Sequence, residues 1–171
     1  MVNHTSGLDI LVLLAMSPRP CHFLAKHTLF NFPFFGWGMR ALGMIPVDRT
    51  NRQKAIASLD RVAQRVQHGD CIVIFPEGTR SKDGEMLPFK KGGFVVALQR
   101  GLPILPIGIS GASETLPTGF WVHGGGGIVL TVGDLLTSHQ AEPSERDALM
   151  SETRMAISEL VVDSRHALEG S

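Results

Sequence analysis

Apolar residues come in short blocks along this chain, and the spacing within each block predicts an element. Residues 6–17 read as a helix: Ser6 can cap the first turn, Asp9 three positions later can accept in return, and Pro18 and Pro20 stop the helix. "CHFLAK" then predicts a short buried strand. Across 51–68, Ile56, Leu59, Val62, Ala63 and Val66 recur at helical spacing between polar residues, and Gly69 closes the segment. "CIVIF" at 71–75 has the length and β-branching of a strand buried on both faces. Residues 92–100 predict a helix with Gly101 as its C-cap, followed by a strand in "LPILPIGIS" that Pro103 and Pro106 mark as an edge or irregular one. "GIVLTVGD" at 127–134 is a further strand, and 142–168 a charged amphipathic helix expected to pack across the sheet. Strands alternating with helices predict an α/β fold, a single domain over 1–171 with a largely parallel or mixed sheet flanked by helices.

One segment breaks the pattern. Five of the chain's Phe and Trp residues fall in "FNFPFFGW", as Phe30, Phe32, Phe34, Phe35 and Trp37. Core packing is the ordinary reading of such a cluster, but its density and the interleaved Pro33, Gly36 and Gly38 predict a bent, irregular element. An apolar ligand or a membrane interface then becomes a candidate contact.

Composition narrows the function classes. Hydrophobic content of 43% and charged content of 19% describe a globular chain. Sixteen basic and sixteen acidic residues cancel, so bulk charge supports no nucleic-acid partner and any anion site must be local. The longest early apolar run, 8–16, is interrupted by Asp9 and falls short of the roughly 20 residues of a spanning helix, so no transmembrane segment and no secretory leader are expected. Cys21 and Cys71 lack metal or CxxC spacing and read as buried free thiols, in keeping with a reducing compartment.

Candidate chemistry starts with His4 and Asp9. Five helical positions are about 140° apart, so the two meet only if His4 lies in the loop before the helix and Asp9 in its first turn. Asp9 then accepts the Nδ1 proton and leaves Nε2 as a general base near neutral pH. "FPEGTRS" follows the strongest strand, where ligands of open α/β sheets collect: Arg80 suits a phosphate, Gly78 a tight turn, and Glu77 can orient Arg80 or accept from a substrate hydroxyl. "GMIPVDR" supplies Asp48 and Arg49 at a helix start, Lys26 ends the first strand, and "PFKKGG" adds Lys90 and Lys91. Cations at several element ends suggest one focused anion site. Taken singly, each feature also has an ordinary reading as a surface His, a turn or a solvated charge.

Together the segments resemble the glycerophospholipid acyltransferase family, the 1-acylglycerol-3-phosphate (lysophosphatidic acid) acyltransferases and their relatives. "NHTSGLD" is similar to the family's NHxSxxD block, "GMIPVDR" to the second block, "FPEGTRS" to the third and "LPILPIGI" to the fourth, all in order over 2–113, with a C-terminal strand and helix over 127–168. "KHTLFNFPFFGWGMRALG" resembles the segment linking the first two blocks. The resemblance implies a glycerol-3-phosphate acyltransferase-like fold, His4 as general base and Asp9 as its partner. Glu77, Gly78, Thr79 and Arg80 would bind the acceptor's glycerol phosphate, Arg49 and Lys26 would be further phosphate contacts, and Pro106 would shape a pocket. It implies an acyl-CoA or acyl carrier protein thioester as co-substrate, no cofactor, no metal and no covalent enzyme intermediate. The partners would be a lysophospholipid acceptor and a membrane surface on its cytoplasmic side. Pro46 departs from the family's bulky apolar residue in the second block, and only three residues precede His4 where relatives carry anchoring helices: either the start is a truncation, or the sheet and the aromatic segment anchor the loop unaided, and a peripheral enzyme is expected.

Other readings remain open. Glycerol 3-phosphate and another lysolipid are alternative acceptors. A serine hydrolase would use Ser110 in "GISGA", with "HGGGG" at 123–127, Asp134 and His139, although Ala112 replaces the elbow's last Gly and the glycine loop follows the nucleophile. A metal hydrolase on His4, Asp9 and Glu77 would lack any HExxH. A non-catalytic lipid-binding module would keep the fold and tolerate loss of His4.

Overall fold

The computed structural model describes residues 1–48, 53, 58, 69–81, 83–116, 126–137 and 143–170. The chain folds into two compact units, one formed by Leu13–Ile74 and the other by Met1–Val12 with Phe75–Ser171. Helix α1 (Leu8–Met16) runs from one into the other.

In the Leu13–Ile74 unit, β1 (Cys21–Lys26) pairs in parallel with β2 (Ile45–Val47) and β3 (Cys71–Val73), in the order β2-β1-β3. The register sets Leu24 against Ile45 and Phe23 against Val73, and Phe23, Val47 and Val73 are buried. Each such side chain contributes about 1.5–3 kcal/mol when fully withdrawn from water, enough to hold strands this short. His22 ties the sheet's start together, its Nε2 2.8 Å from Asp70 Oδ2 and its Nδ1 3.0 Å from the Gly43 carbonyl. Strand β3 is shorter than expected, because Phe75 already begins a turn by accepting from Gly78 N at 3.0 Å. The thiols lie opposite each other at Cys21 and Cys71, free but half-buried rather than buried. Of the helix expected over 51–68, Gln53 and Ser58 are helical, and its apolar positions lie outside the described residues.

Between β1 and β2 the aromatic segment is bent, as its prolines and glycines predict. A 3-10 turn (His27–Asn31) leads into α2 (Phe35–Ala41), and a Cβ on Gly36 would overlap the Phe30 carbonyl. Phe30 is buried, whereas the other four aromatics face solvent.

In the second unit β4 (Ile107–Ser110) pairs antiparallel with β5 (Val129–Val132), and Val2 makes a parallel bridge to Ile107. In this two-stranded sheet β4 is an edge strand, as its prolines predict, with Val2 bridging its other side at Ile107 alone. Pro103 and Pro106 stand before it, where a missing N–H costs no ladder bond. Helix α3 (Gly92–Arg100) ends at Gly101 in the left-handed region, and the four-residue α4 (Ala112–Thr115) follows β4. The long α5 (Pro143–Glu169) crosses β4 so closely that a Cβ on Gly108 would come within 2.6 Å of the Leu160 carbonyl carbon. Phe94, Ala97, Ile104 and Leu149 form the core beside it. The architecture is α/β, with a parallel sheet and flanking helices. No helix among the described residues is long and apolar enough to cross a membrane.

Candidate active site

The loop carrying His4 is fastened residue by residue. Val2 bridges Ile107, and the buried Asn3 amide donates to the Ile109 carbonyl (2.9 Å) and accepts from its N–H (2.8 Å), as a paired strand would. Ser6 caps α1, accepting from Leu8 N at 3.2 Å, and donates to the Leu116 carbonyl at 2.6 Å. Asp9 closes the capping box on Ser6 N at 2.9 Å.

That cap brings His4 and Asp9 together. Asp9 Oδ2 accepts from His4 Nδ1 at 2.8 Å and from Thr5 N and Ser6 N at 2.9 Å each, inside a fully buried environment. Its Oδ1 has no hydrogen-bond partner among the described residues. The His4 ring stacks on Phe75, centroids 3.9 Å apart and planes 19° off parallel, and keeps 15% side-chain exposure. With Nδ1 given to Asp9, Nε2 is the nitrogen left to exchange a proton with a ligand.

Glu77 serves this loop rather than Arg80. It is buried, Oε1 accepting from His4 N and Oε2 from Leu87 N, both at 2.8 Å. Burial pushes its carboxyl above the ordinary range, against the pull of the Leu87 and His4 N–H groups, the His4 ring and Arg154. Ser81 N returns a bond to the His4 carbonyl at 2.8 Å, so "FPEGTRS" and "NHTSGLD" are stitched at both ends.

The turn that Glu77 anchors presents Gly78 at φ +72°, with Thr79 and Arg80 exposed beyond it. The Lys90 stem lies over Gly78, where an added Cβ would sit 2.8 Å from Nζ. Lys91 instead pairs with Asp147 at 3.5 Å. Lys26 is the exposed last residue of β1 in the Leu13–Ile74 unit, and Arg49 lies outside the described residues. Pro106 is fully buried, its ring facing Gly133. Asn3 and Thr5, on either side of His4, line an open cavity of about 270 Å³ with Asp83, Ser113, Glu114 and Arg165. Asp83 and Glu114 outnumber the single cation, Arg165, so the lining is net acidic and disfavours a phosphate. No group of three metal-ligating side chains occurs among the described residues. Ser110 is turned toward α5, bonded to Ser164 Oγ at 2.6 Å and the Val161 carbonyl at 3.2 Å, and His123 and His139 lie outside the described residues.

Sequence reasoning passed over Asn3, Phe75, Ser81 and Arg154. Asn3 stands inside the first block, but its pairing with Ile109 spans more than a hundred residues and has no local signal.

The comparisons with known proteins agree in kind. The Acyltransferase family model matches residues 1–110. A chloroplastic 1-acyl-sn-glycerol-3-phosphate acyltransferase of Arabidopsis thaliana is 34% identical over 92% of this chain and 43% of its own length. The 1-acyl-sn-glycerol-3-phosphate acyltransferase of Saccharomyces cerevisiae is 38% identical over 77% of this chain and 45% of its own. The crystal structure of the 1-acyl-sn-glycerophosphate (LPA) acyltransferase PlsC from Thermotoga maritima superposes with a TM-score of 0.73 at 28% identity, covering 93% of this chain and 64% of that one. The chain thus spans less than half the length of these two curated relatives. On the match over 1–110, this chain belongs to the Acyltransferase family.

Proposed function

We propose that the chain is one acyltransferase domain that moves a fatty acyl group from an acyl-CoA or acyl carrier protein thioester to the free hydroxyl of lysophosphatidic acid, giving phosphatidic acid. The observation that carries this reading is the 2.8 Å contact between His4 Nδ1 and the buried Asp9 carboxylate, which reserves Nε2 for the acceptor. His4 Nε2 takes the hydroxyl proton, the acceptor oxygen forms a bond to the thioester carbonyl carbon, and the C–S bond breaks. The departing thiolate then takes the proton from the imidazolium, so no covalent enzyme intermediate is needed. Arg80 and Thr79, on the turn held by Glu77 and Gly78, receive the acceptor's phosphate. Pro106 supports the pocket from behind as packing. The names of the relatives favour lysophosphatidate over glycerol 3-phosphate as acceptor. The enzyme works peripherally on the cytoplasmic side of a membrane and needs no cofactor.

Purified protein offered a labelled acyl thioester and a panel of acceptors tests the reading. Transfer to lysophosphatidate that disappears in His4→Ala is expected, and undiminished transfer in that variant refutes it. Arg80→Ala should raise the acceptor KM more than it lowers kcat. A pure rate defect contradicts the phosphate role.

A further inference from the structure

The exposed aromatic segment is the first feature the catalytic reading leaves unused. Phe32, Phe34, Phe35 and Trp37 are each 58–79% exposed, and Leu29 and Leu42 flank them. A soluble surface has no reason to gather them. Phe34 has φ +63° and ψ −52°, the only positive φ outside glycine among the described residues, with Phe35 N bonded to the Pro33 carbonyl at 2.7 Å. This is a γ-turn, a strained conformation, and here it holds a phenyl ring out into solvent. Close packing of Gly36 on the Phe30 carbonyl fixes the turn beneath it. Along the sequence the segment is basic: between Asp9 and Asp48 there is no acidic residue, yet Arg19, Lys26 and Arg40 occur, and in the fold Asp48 Oδ1 lies 3.9 Å from His27 Nδ1 at the segment's start.

We infer that this element is a preformed docking surface for an anionic lipid bilayer, its aromatic side chains entering the headgroup boundary and its cations meeting lipid phosphates. The inference deepens the proposed function by naming its membrane contact, and its test needs no turnover. Flotation with vesicles of phosphatidylcholine containing phosphatidylglycerol should show binding that falls at least tenfold in the triple variant Phe34→Ser, Phe35→Ser, Trp37→Ser. Removal of the exposed Met155 and Val162 on α5, as Met155→Ser, Val162→Ser, should change nothing. In a Trp121→Phe background, brominated acyl chains should quench Trp37. Binding retained by the triple variant overturns the proposal, as does a patch-dependent dimer that ignores vesicles. Transfer to a short-chain, water-soluble acceptor should persist in the triple variant, which separates docking from catalysis.

Arg154 on α5, beyond the residues matched by the family model, donates from Nη1 to the Leu87 carbonyl (2.6 Å) and from Nη2 to the Met86 carbonyl (2.7 Å). The Met86 carbonyl and the Leu87 N–H belong to one peptide unit, and that N–H is the donor to Glu77 Oε2. Drawing on the carbonyl strengthens the N–H as a donor, so the guanidinium, the peptide, Glu77 and His4 N form one polarised series.

We propose that Arg154 is a positioning residue for His4, acting through this peptide and Glu77. In Arg154→Ala, amide hydrogen exchange at His4 and Leu87 should quicken about tenfold while Ile109 N–H, held by Asn3, keeps its protection. With active enzyme, kcat should fall five- to tenfold with both KM values unchanged, and the combination with Glu77→Gln should lose less than the product of the single losses. Uniform acceleration of exchange, no acceleration, or multiplicative losses overturn it. If the alanine variant does not fold, Arg154→Lys, which reaches one carbonyl at most, is read the same way.

Discussion

Replacing Glu77 with Gln tests the tether on which the candidate site rests. The carboxylate accepts two main-chain N–H groups, from His4 and Leu87, each at 2.8 Å and away from water. Gln keeps the shape but has one acceptor oxygen, so one N–H exchanges a charged acceptor for a neutral one, a loss of about 1 kcal/mol. The other N–H then faces an amide NH2 and goes unsatisfied, costing about 1–3 kcal/mol more. The expected destabilisation is about 2–4 kcal/mol near neutral pH, read from urea unfolding. Burial raises the Glu77 carboxyl above its ordinary pKa, so the folded state binds the proton more tightly than the unfolded chain. Its contribution is therefore fullest below the unfolded value of about 4.3 and declines as pH rises through the folded value. Other titrating groups cancel between the two proteins, so the stability gap should widen as pH falls from 7 toward 4. A gap that narrows over that range refutes the raised Glu77 carboxyl, and one below about 0.5 kcal/mol throughout refutes Glu77 as a buried tether.

Asp9→Asn preserves the capping geometry but removes the charge facing the imidazolium. At about 4 kcal/mol for charges 4 Å apart under partial screening, kcat should fall roughly 10²- to 10³-fold with KM unchanged, and a loss under threefold contradicts the pairing. Gly108→Ala places a methyl group within 2.7 Å of Leu160 and the Val161 nitrogen, so thermal unfolding should drop by about 6 °C or more, at about 3 kcal/mol. An unchanged melting temperature would show that α5 yields freely. Burial and the neighbouring Cys21 push the Cys71 thiol up, which lowers its thiolate fraction. Iodoacetamide should therefore label Cys71 at least tenfold more slowly than free cysteine at pH 7.5, and equal rates would contradict that burial.

What the sequence determined by itself was local. The cap on α1 needs only Ser6 and Asp9 three positions apart, the stop of α3 needs only a glycine able to turn left-handed, and the bend in the aromatic segment needs only its prolines and glycines. The order of four motifs was legible too, and with it the family. Tertiary structure decided what those residues face. Glu77 reads as a ligand-binding carboxylate until the fold sets His4 N and Leu87 N against its two oxygens, and Lys91 reads like Lys90 until α5 brings Asp147 to it. Likewise Phe30 and Phe34 are the same side chain in the same segment, one buried and the other 79% exposed, Phe34 standing at the centre of a γ-turn that holds its ring out into solvent. Turn and cap preferences act over a few residues and are written in the sequence, whereas burial and hydrogen-bond partners depend on chain segments a hundred residues away.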